Sequence, residues 1–264
     1  MKPVTITTLR ELKQAGQKIT CLTAYDYSFA NLLDRAGLDA IMVGDSLGMT
    51  MQGHASTLPV TIDDMAYHCA CVTRGVTRSL IIGDMSFGSY QVSPEQAFEN
   101  AAILMQSGAQ VVKLEGGAPM AETVRFLVER GIPVCAHLGL TPQSVHQLGG
   151  YRVQGREADA AQRLRDDAKQ LQAAGASLLV LEAVPAALAK VISTELAIPT
   201  IGIGAGVDTD GQVLVLQDML GLYPRPSPKF SRNFMQGAES IEAAVRAYVE
   251  AVRGKTFPGA EHSY

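Results

Sequence analysis

Acidic residues recur in this sequence at one kind of position, directly after a short apolar run. Asp45 follows the run at 40–43, Asp84 the run at 80–82, Glu115 the run around 111–114, and Glu182 the run at 178–181. Carboxylates brought to one place repel one another, and a hard cation relieves that repulsion. A few carboxylate ligands, with water and substrate completing the shell, are typical of Mg²⁺ rather than Zn²⁺. These acids therefore predict an oxygen-rich metal site.

The same acids have a structural interpretation. Asp is a favoured N-cap residue and acids suit helix N-termini, so each one could cap the helix that follows it. Capping is an ordinary explanation for a single acid and a weaker one for four acids at equivalent places. Asp26 and Asp218 also follow apolar runs.

Two further polar residues occupy positions in apolar runs. His137 ends the run that begins at Ile132, where it is either a metal ligand or, more commonly for a lone His, a hydrogen-bonding group. Lys113 lies two residues before Glu115, so both side chains point to one face of a strand. A buried Lys is costly unless it is paired or binds an anion. We favour an ammonium directed at an anionic substrate over a structural Lys113–Glu115 ion pair.

The elements that must position these residues follow a repeating pattern. Five times, a helical stretch ends near a Gly and a short apolar run follows; the Gly residues are Gly37, Gly75, Gly108, Gly131 and Gly175. Gly supplies the left-handed residue that ends a helix, and the apolar run reads as a strand buried on both faces. Further runs at 19–24, 198–201 and 213–216 bring the strand count to eight.

Eight strand–helix units predict an α/β fold, a single-domain (β/α)₈ barrel over residues 1–264 with an N-terminal helix. An open doubly wound sheet is the alternative, and it is less favoured because no Gly-x-Gly-x-x-Gly follows the first strand. In a barrel the carboxyl ends of the strands face the site, so the acids would converge there. The glycine-rich segment 201–206 is either a phosphate-binding loop or a tight turn.

Composition limits the function classes. With 47% hydrophobic and 18% charged residues, the chain buries a sizeable core. A net charge of −4, with no basic run among aromatics, argues against nucleic acid or an anionic membrane as partner. Four Cys are too few for a disulfide scaffold, and Cys69-x-Cys71 alone is weak support for a metal site. With no apolar run of signal-peptide or membrane-spanning length, we expect a cytoplasmic protein.

Longer motifs resemble one enzyme family. Val43-Gly-Asp-Ser-Leu-Gly-Met49 and Lys113-Leu-Glu-Gly-Gly117 are similar to segments of the ketopantoate hydroxymethyltransferases. Further similar segments lie at 23–28, 94–100, 137–143, 149–155, 181–185, 201–206 and 210–215. The resemblance covers nearly the whole chain. One departure is Ser86, where the family often carries Pro.

The resemblance implies a (β/α)₈ barrel that needs Mg²⁺ and assembles as a homodecamer. It implies transfer of a hydroxymethyl group from 5,10-methylenetetrahydrofolate to 3-methyl-2-oxobutanoate, giving 2-dehydropantoate and tetrahydrofolate, in pantothenate and coenzyme A synthesis. An α-keto acid chelates Mg²⁺, which polarises its ketone and stabilises the enolate formed when the C3 proton leaves.

Carried over residue by residue, the resemblance implies that Asp45 and Asp84 bind the metal, with Glu115 close to it. It implies that Ser46 and Lys113 hold the keto acid, with Asp45 and Asp84 beside it. Glu182 would accept the proton, and His137 would assist either this base or the folate.

Two other functions remain open. Mg²⁺-dependent carbon–carbon lyases of the isocitrate lyase and phosphoenolpyruvate mutase type also bind α-oxo acids on a barrel. They turn over without folate and usually carry a reactive Cys in a mobile loop, which this sequence lacks. A non-catalytic metabolite-binding barrel is the other alternative, and it leaves Lys113 and Glu182 unexplained.

Overall fold

Eight parallel strands close into a barrel in the computed structural model, which describes residues 2–222, 224 and 226–264. They are β1 Ile19–Thr23, β2 Ala40–Val43, β3 Leu80–Asp84, β4 Val111–Glu115, β5 Val134–Gly139, β6 Leu178–Glu182, β7 Thr200–Ile203 and β8 Gly211–Leu214. Each strand pairs with the next one along the chain, and β8 returns to β1. The (β/α)₈ prediction is confirmed, and the doubly wound sheet is wrong.

Helices surround the barrel, most of them between successive strands in the chain and the others before β1 or after β8. They are α1 Ile6–Gln14, α2 Tyr27–Ala36, α3 Leu47–Thr50, α4 Ile62–Gly75, α5 Pro94–Gln106, α6 Ala121–Glu129, α7 Ala158–Ala173, α8 Ala186–Glu195, α9 Leu216–Met219 and α10 Ile241–Arg253. The helix α1 is the predicted N-terminal helix. The start of α5 is set by Ser93, whose hydroxyl accepts from the Gln96 N–H while Pro94 occupies the first turn.

Four of the five glycines behave as the pattern predicts, with left-handed φ angles from 84° to 104° at Gly37, Gly108, Gly131 and Gly175. Gly75 differs, because it is the last residue of α4 rather than a left-handed residue beyond it. A Cβ there would lie 2.5 Å from the Tyr27 carbonyl oxygen. Gly75 is therefore needed for the close contact between α4 and α2.

The two last strands do not begin where their apolar runs suggest. The strand β7 starts at Thr200 instead of residue 198 because Pro199 has no N–H to give to the ladder. The strand β8 covers 211–214 rather than 213–216. Every residue of β1 to β4 is buried, as expected for parallel strands covered on both faces.

All four cysteines are free thiols, three of them buried. None of the helices in the described ranges has the length and apolar character needed to cross a bilayer.

Candidate active site

The predicted site residues line one cavity at the carboxyl ends of the strands. The cavity has a volume of about 850 Å³, within the size range of small-molecule sites. The predicted residues that line it are Asp45, Ser46, Asp84, Lys113, Glu115, His137 and Glu182. Sequence position alone therefore brought together side chains from β3, β4, β5 and β6 and from the loop after β2. Their individual roles stay predictions.

Strand register explains which of these side chains meet. Asp84 pairs with Lys113 across β3 and β4, and Glu115 pairs with His137 across β4 and β5. As a result the Lys113 Nζ lies 2.8 Å from the Asp84 Oδ2. The structural alternative, a Lys113–Glu115 ion pair, named the wrong acid: Glu115 lies two residues further along the strand, while Asp84 stands directly opposite.

Lys113 is a buried ammonium among acids. Burial alone would lower its pKa, but the charges of Asp84, Glu115 and Asp45 outweigh this and raise the pKa of Lys113 above its usual range. The amine therefore stays protonated at neutral pH. Its three donors allow it to hold Asp84 and still reach a second anion.

Asp45 follows Gly44 at the turn after β2, where a Cβ on Gly44 would lie 2.8 Å from the Ser46 Oγ. The Asp45 N–H donates to the Asp84 Oδ2 at 3.2 Å, which holds the two acids side by side. Burial, followed by the charges of Asp84 and Glu115, raises the pKa of Asp45 to about 7. This carboxylate is held where another negative charge is unfavourable, so the site favours a cation.

Capping does not explain the four strand-end acids. Asp26 does cap α2, because its Oδ1 accepts from the Phe29 N–H at 2.9 Å. The helices after β2, β3, β4 and β6 have Ser46, Ser93, Met120 and Pro185 at their N-caps instead. The structural interpretation therefore holds for Asp26 and is wrong for Asp45, Asp84, Glu115 and Glu182.

Glu115, His137 and Glu182 form a row along the strand ends. The His137 Nδ1 lies 3.4 Å from the Glu115 Oε1, and its Nε2 lies 3.4 Å from the Glu182 Oε2. Both contacts are too long or poorly angled to count as hydrogen bonds. Burial opposes protonation of the imidazole, but the two carboxylates outweigh it and raise the pKa of His137 to about 9. The two flanking carboxylates thus favour the protonated form of the His137 imidazole.

Two residues of this site were not predicted from the sequence. The Gln143 Nε2 donates to the Asp45 Oδ2 at 3.0 Å, and the Gln143 N–H donates to the Glu115 Oε2 at 3.0 Å. The Tyr90 hydroxyl donates to the Gln143 Oε1 at 2.6 Å and accepts from the Glu115 N–H at 3.1 Å. Gln143 falls within the motif at 137–143, so its position after β5 was a usable signal; Tyr90 had none.

Ser46 has a partner of its own. Its Oγ lies 2.9 Å from the Tyr25 hydroxyl, which is buried beside the end of β1. Ser46 heads α3 without a side-chain capping bond, so its hydroxyl faces the cavity rather than the helix.

The glycine-rich segment 201–206 forms a tight turn. Gly202 belongs to β7, and a Cβ there would lie 2.6 Å from the Thr209 Oγ1. Gly204 has a φ of 62°, and a Cβ on it would lie 3.0 Å from ring atoms of Phe230 and Tyr264. The turn is covered by side chains, which supports the tight-turn interpretation.

The acids at the centre suit a divalent cation. Four acids, Asp45, Asp84, Glu115 and Glu182, outnumber the two basic residues Lys113 and His137, and the Asp84 Oδ1 is buried without a hydrogen-bond partner from the described residues. Within residues 2–222, 224 and 226–264, no three His, Cys, Asp or Glu side chains are arranged to hold a metal on their own. Two carboxylates completed by water and substrate are nevertheless an ordinary Mg²⁺ arrangement.

Comparison with known proteins places the chain in a family. Residues 3–260 match the family described as Ketopantoate hydroxymethyltransferase. A 3-methyl-2-oxobutanoate hydroxymethyltransferase from Methylobacillus flagellatus is 65% identical, covering 97% of this chain and 98% of its own length. Another, from Thiobacillus denitrificans, is 63% identical and covers 99% of this chain and 100% of its own length.

The fold extends to more distant proteins. A phosphonopyruvate hydrolase in complex with oxalate and Mg²⁺ superposes with a TM-score of 0.60 at 12% identity, covering 80% of each chain. At that identity the likeness concerns the fold alone. The family match over nearly the whole length decides the assignment: this chain is an enzyme that belongs to the ketopantoate hydroxymethyltransferase family.

Proposed function

We propose that this enzyme transfers a hydroxymethyl group from 5,10-methylenetetrahydrofolate to 3-methyl-2-oxobutanoate, giving 2-dehydropantoate and tetrahydrofolate for pantothenate synthesis. The relative from Methylobacillus flagellatus carries the corresponding name and is 65% identical over 257 residues. A cavity of about 850 Å³ has room for a small keto acid and part of a larger donor.

Asp45 and Asp84 are the residues we propose as Mg²⁺ ligands, with Glu115 beside them. The acid excess and the unpartnered Asp84 Oδ1 support this choice. When bound, a divalent cation supplies a positive charge that polarises the ketone and makes the C3 proton more acidic. Phosphonopyruvate hydrolase, on the same fold, binds Mg²⁺ with oxalate, a planar ligand that presents adjacent oxygens as an α-keto acid does.

Lys113 and Ser46 are proposed to hold the keto acid. The Lys113 ammonium remains charged because acids surround it, and it neutralises the substrate carboxylate. The Ser46 hydroxyl is oriented by the Tyr25 hydroxyl at 2.9 Å.

Glu182 is proposed as the base that removes the C3 proton. It is the most accessible acid of the group, with a side chain 15% exposed, whereas that of Glu115 is 3% exposed. The His137 Nε2 lies 3.4 Å from its Oε2 at the cavity wall. Proton transfer to a positioned carboxylate is typically worth 10²–10⁴-fold.

The convergence of a buried ammonium and four carboxylates in one cavity carries this proposal. The test is an assay with 3-methyl-2-oxobutanoate, methylenetetrahydrofolate and Mg²⁺, with each omitted in turn. We expect 2-dehydropantoate only when all three are present. Carbon–carbon cleavage without folate would instead favour a lyase, and tight binding without turnover would favour a metabolite-binding barrel.

We also propose a cytoplasmic homodecamer. The free thiols suit a reducing compartment. Tyr27 on α2 and Tyr67 on α4 are 54% and 67% exposed on neighbouring helices, which gives a surface suited to self-association. Light scattering should give a particle mass ten times the 28.1 kDa of one chain; a monomer or dimer mass would refute the decamer.

A further inference from the structure

One carboxylate in the cavity has no place in the chemistry proposed above. Asp218 lies in α9, directly after β8, and lines the same cavity as the central acids. It is 8% exposed, and its Oδ1 accepts no hydrogen bond from the part of the chain that the structure describes. No described Lys or Arg forms an ion pair with it.

Burial of an unpaired carboxylate is unfavourable unless a ligand supplies the missing hydrogen bonds. An unpaired carboxylate loses hydration without a compensating bond, and burial accordingly raises the pKa of Asp218 to about 6. A buried, unsatisfied acid on a cavity wall is a typical ligand-binding group. Its natural partner is a group with N–H donors.

The cavity that Asp218 lines suits a flat, partly apolar ligand. Val215, Pro226, Pro228 and Phe230 line the cavity together with it, and these side chains offer apolar surfaces to a ring. Asp218 also lies near the keto-acid end: after burial, its charge is among the influences that raise the pKa of Tyr25 to about 12. The hydroxyl of that tyrosine contacts Ser46.

The rim of the cavity has the opposite charge. Arg152, Arg156 and Lys229 line it, and both arginines are exposed. A ligand with N–H donors at one end and carboxylates at the other would match this distribution, with its donor end inside and its anionic end at the rim.

We propose that Asp218 binds the one-carbon donor by accepting hydrogen bonds from the N3–H and the 2-amino group of its pterin ring. The inference rests on the proposed function, because it takes a tetrahydrofolate as the donor. Two parallel N–H groups on a planar edge match the two oxygens of a carboxylate, as an Arg fork does. The glutamyl carboxylates then lie towards Arg152 and Arg156.

The kinetic test is Asp218→Asn, which keeps the shape and removes the second acceptor. We expect the KM for methylenetetrahydrofolate to rise about ten-fold to one-hundred-fold, the range for a hydrogen bond to a charged group. The KM for the keto acid, and exchange of its C3 proton in heavy water without folate, should stay at the wild-type level. Asp208→Asn is the matched control, since Asp208 is half exposed and pairs with Lys190 outside the cavity lining.

An unchanged folate KM in Asp218→Asn would overturn the inference. So would loss of the folate-independent exchange, because Asp218 would then act on the keto acid. Unfolding in urea checks that the variant is folded.

A binding test separates this inference from the proposed function, because it needs no turnover. The probes are 6-hydroxymethylpterin and 6-hydroxymethyllumazine, which differ by replacement of the 2-amino donor with a carbonyl acceptor. Calorimetry should show about ten-fold tighter binding of the pterin by the wild type, and a reduced or reversed preference in Asp218→Asn. An inactive wild type with this preference would refute the function and keep the inference. A wild type without the preference would refute the inference.

Discussion

The two ends of the barrel differ in how far their carboxylates are satisfied by hydrogen bonds and ion pairs. At the end where the strands begin, Asp34 accepts from the Ser79 N–H at 2.7 Å and the Thr77 N–H at 2.9 Å, and from both hydroxyls. Asp39 and Asp210 are held in the same manner by a threonine and by Arg or Lys side chains. At the end where the strands finish, Asp84 has an orphaned oxygen and Asp218 has no described partner.

The pKa shifts follow this division. Burial alone would raise the pKa of Asp34, but hydrogen bonds from Ser79 and Thr77 outweigh it and hold the pKa below its usual range. Burial raises the pKa of Asp45 to about 7 and that of Asp218 to about 6. The acids at the strand starts therefore stabilise the fold. The acids in the cavity cost stability and are available for ligands, as is usual for barrel enzymes.

The largest expected effect is on chemistry at the cavity end. Glu182→Gln keeps the shape and removes the base, so exchange of the C3 proton of the keto acid in heavy water should fall by about 10²–10⁴-fold. The free energy of unfolding should change by less than about 0.5 kcal/mol, because among the described residues the Glu182 side chain has only the 3.4 Å contact with His137. Proton NMR of the C3 signal and urea unfolding measure the two quantities.

Glu195→Gln is the matched control for this variant. Glu195 is an exposed acid paired with Arg165 and Lys169 at the end of α8, and its loss should leave exchange unchanged. Wild-type exchange in Glu182→Gln would remove Glu182 from the base role and point to His137, because this variant removes one of the two carboxylates that favour its protonation.

At the end of the barrel where the strands begin, we expect an effect on stability rather than on chemistry. Asp34→Ala leaves the backbone donors of Thr77 and Ser79 unsatisfied, so the free energy of unfolding should fall by about 3–5 kcal/mol. The kcat and KM of the molecules that remain folded should match the wild type. A loss below about 1 kcal/mol in urea unfolding, or a changed KM, would contradict the division between the two ends.

Much of the fold was predictable because it rests on local rules. Buried parallel strands read as apolar runs, and left-handed glycines end helices wherever the chain must turn back. The exceptions have tertiary causes. Gly75 is set by contact with α2, and the start of β7 by Pro199, neither of which a periodic pattern reveals.

The site was predictable where its residues sit on strands. Barrel geometry brings strand ends together, so Asp84, Lys113, Glu115 and His137 could be placed in one cavity without coordinates. The loop residues Gln143 and Tyr90 were missed because their contacts span 28 and 25 residues of sequence to reach Glu115. The structural alternative of a Lys113–Glu115 pair named the wrong acid, because cross-strand register places Asp84 opposite Lys113.

A pH series on metal-free protein should separate the two kinds of acid. The folded-state pKa of Asp218, about 6, lies above the unfolded value of 3.8, so the folded state binds more protons between them. Stability from this group therefore falls as the pH rises from 4 to 7. Relative to the wild type, the free energy of unfolding of Asp218→Asn should rise by up to about 3 kcal/mol over that interval.

The contribution of Asp34 to stability depends on pH in the opposite direction. Its folded pKa is depressed, so its contribution is present above the unfolded pKa and is lost only as the pH falls through the folded value. The wild type should thus be destabilised below pH 4 in a way that Asp34→Asn is not. For Asp218, the contrary result would be parallel plots of the free energy of unfolding against pH for the wild type and Asp218→Asn between pH 4 and 7. That result would show that Asp218 has a partner in the folded state.

The smallest effect is expected for Lys113, which has features of both the stabilising charges at the strand starts and the ligand-binding charges in the cavity. It is paired at 2.8 Å with Asp84, like the acids at the strand starts, yet it faces the cavity. Lys113→Met keeps the bulk and removes the charge, so the KM for the keto acid should rise about ten-fold, the lower end for a charge-assisted bond. Stability should also fall, because Asp84, Glu115 and Asp45 lose their common cation, and added Mg²⁺ should recover part of it. Lower stability with unchanged kcat and KM would show that Lys113 stabilises the fold and does not bind the keto acid. Lys113 would then belong with the acids at the strand starts, although it lines the cavity.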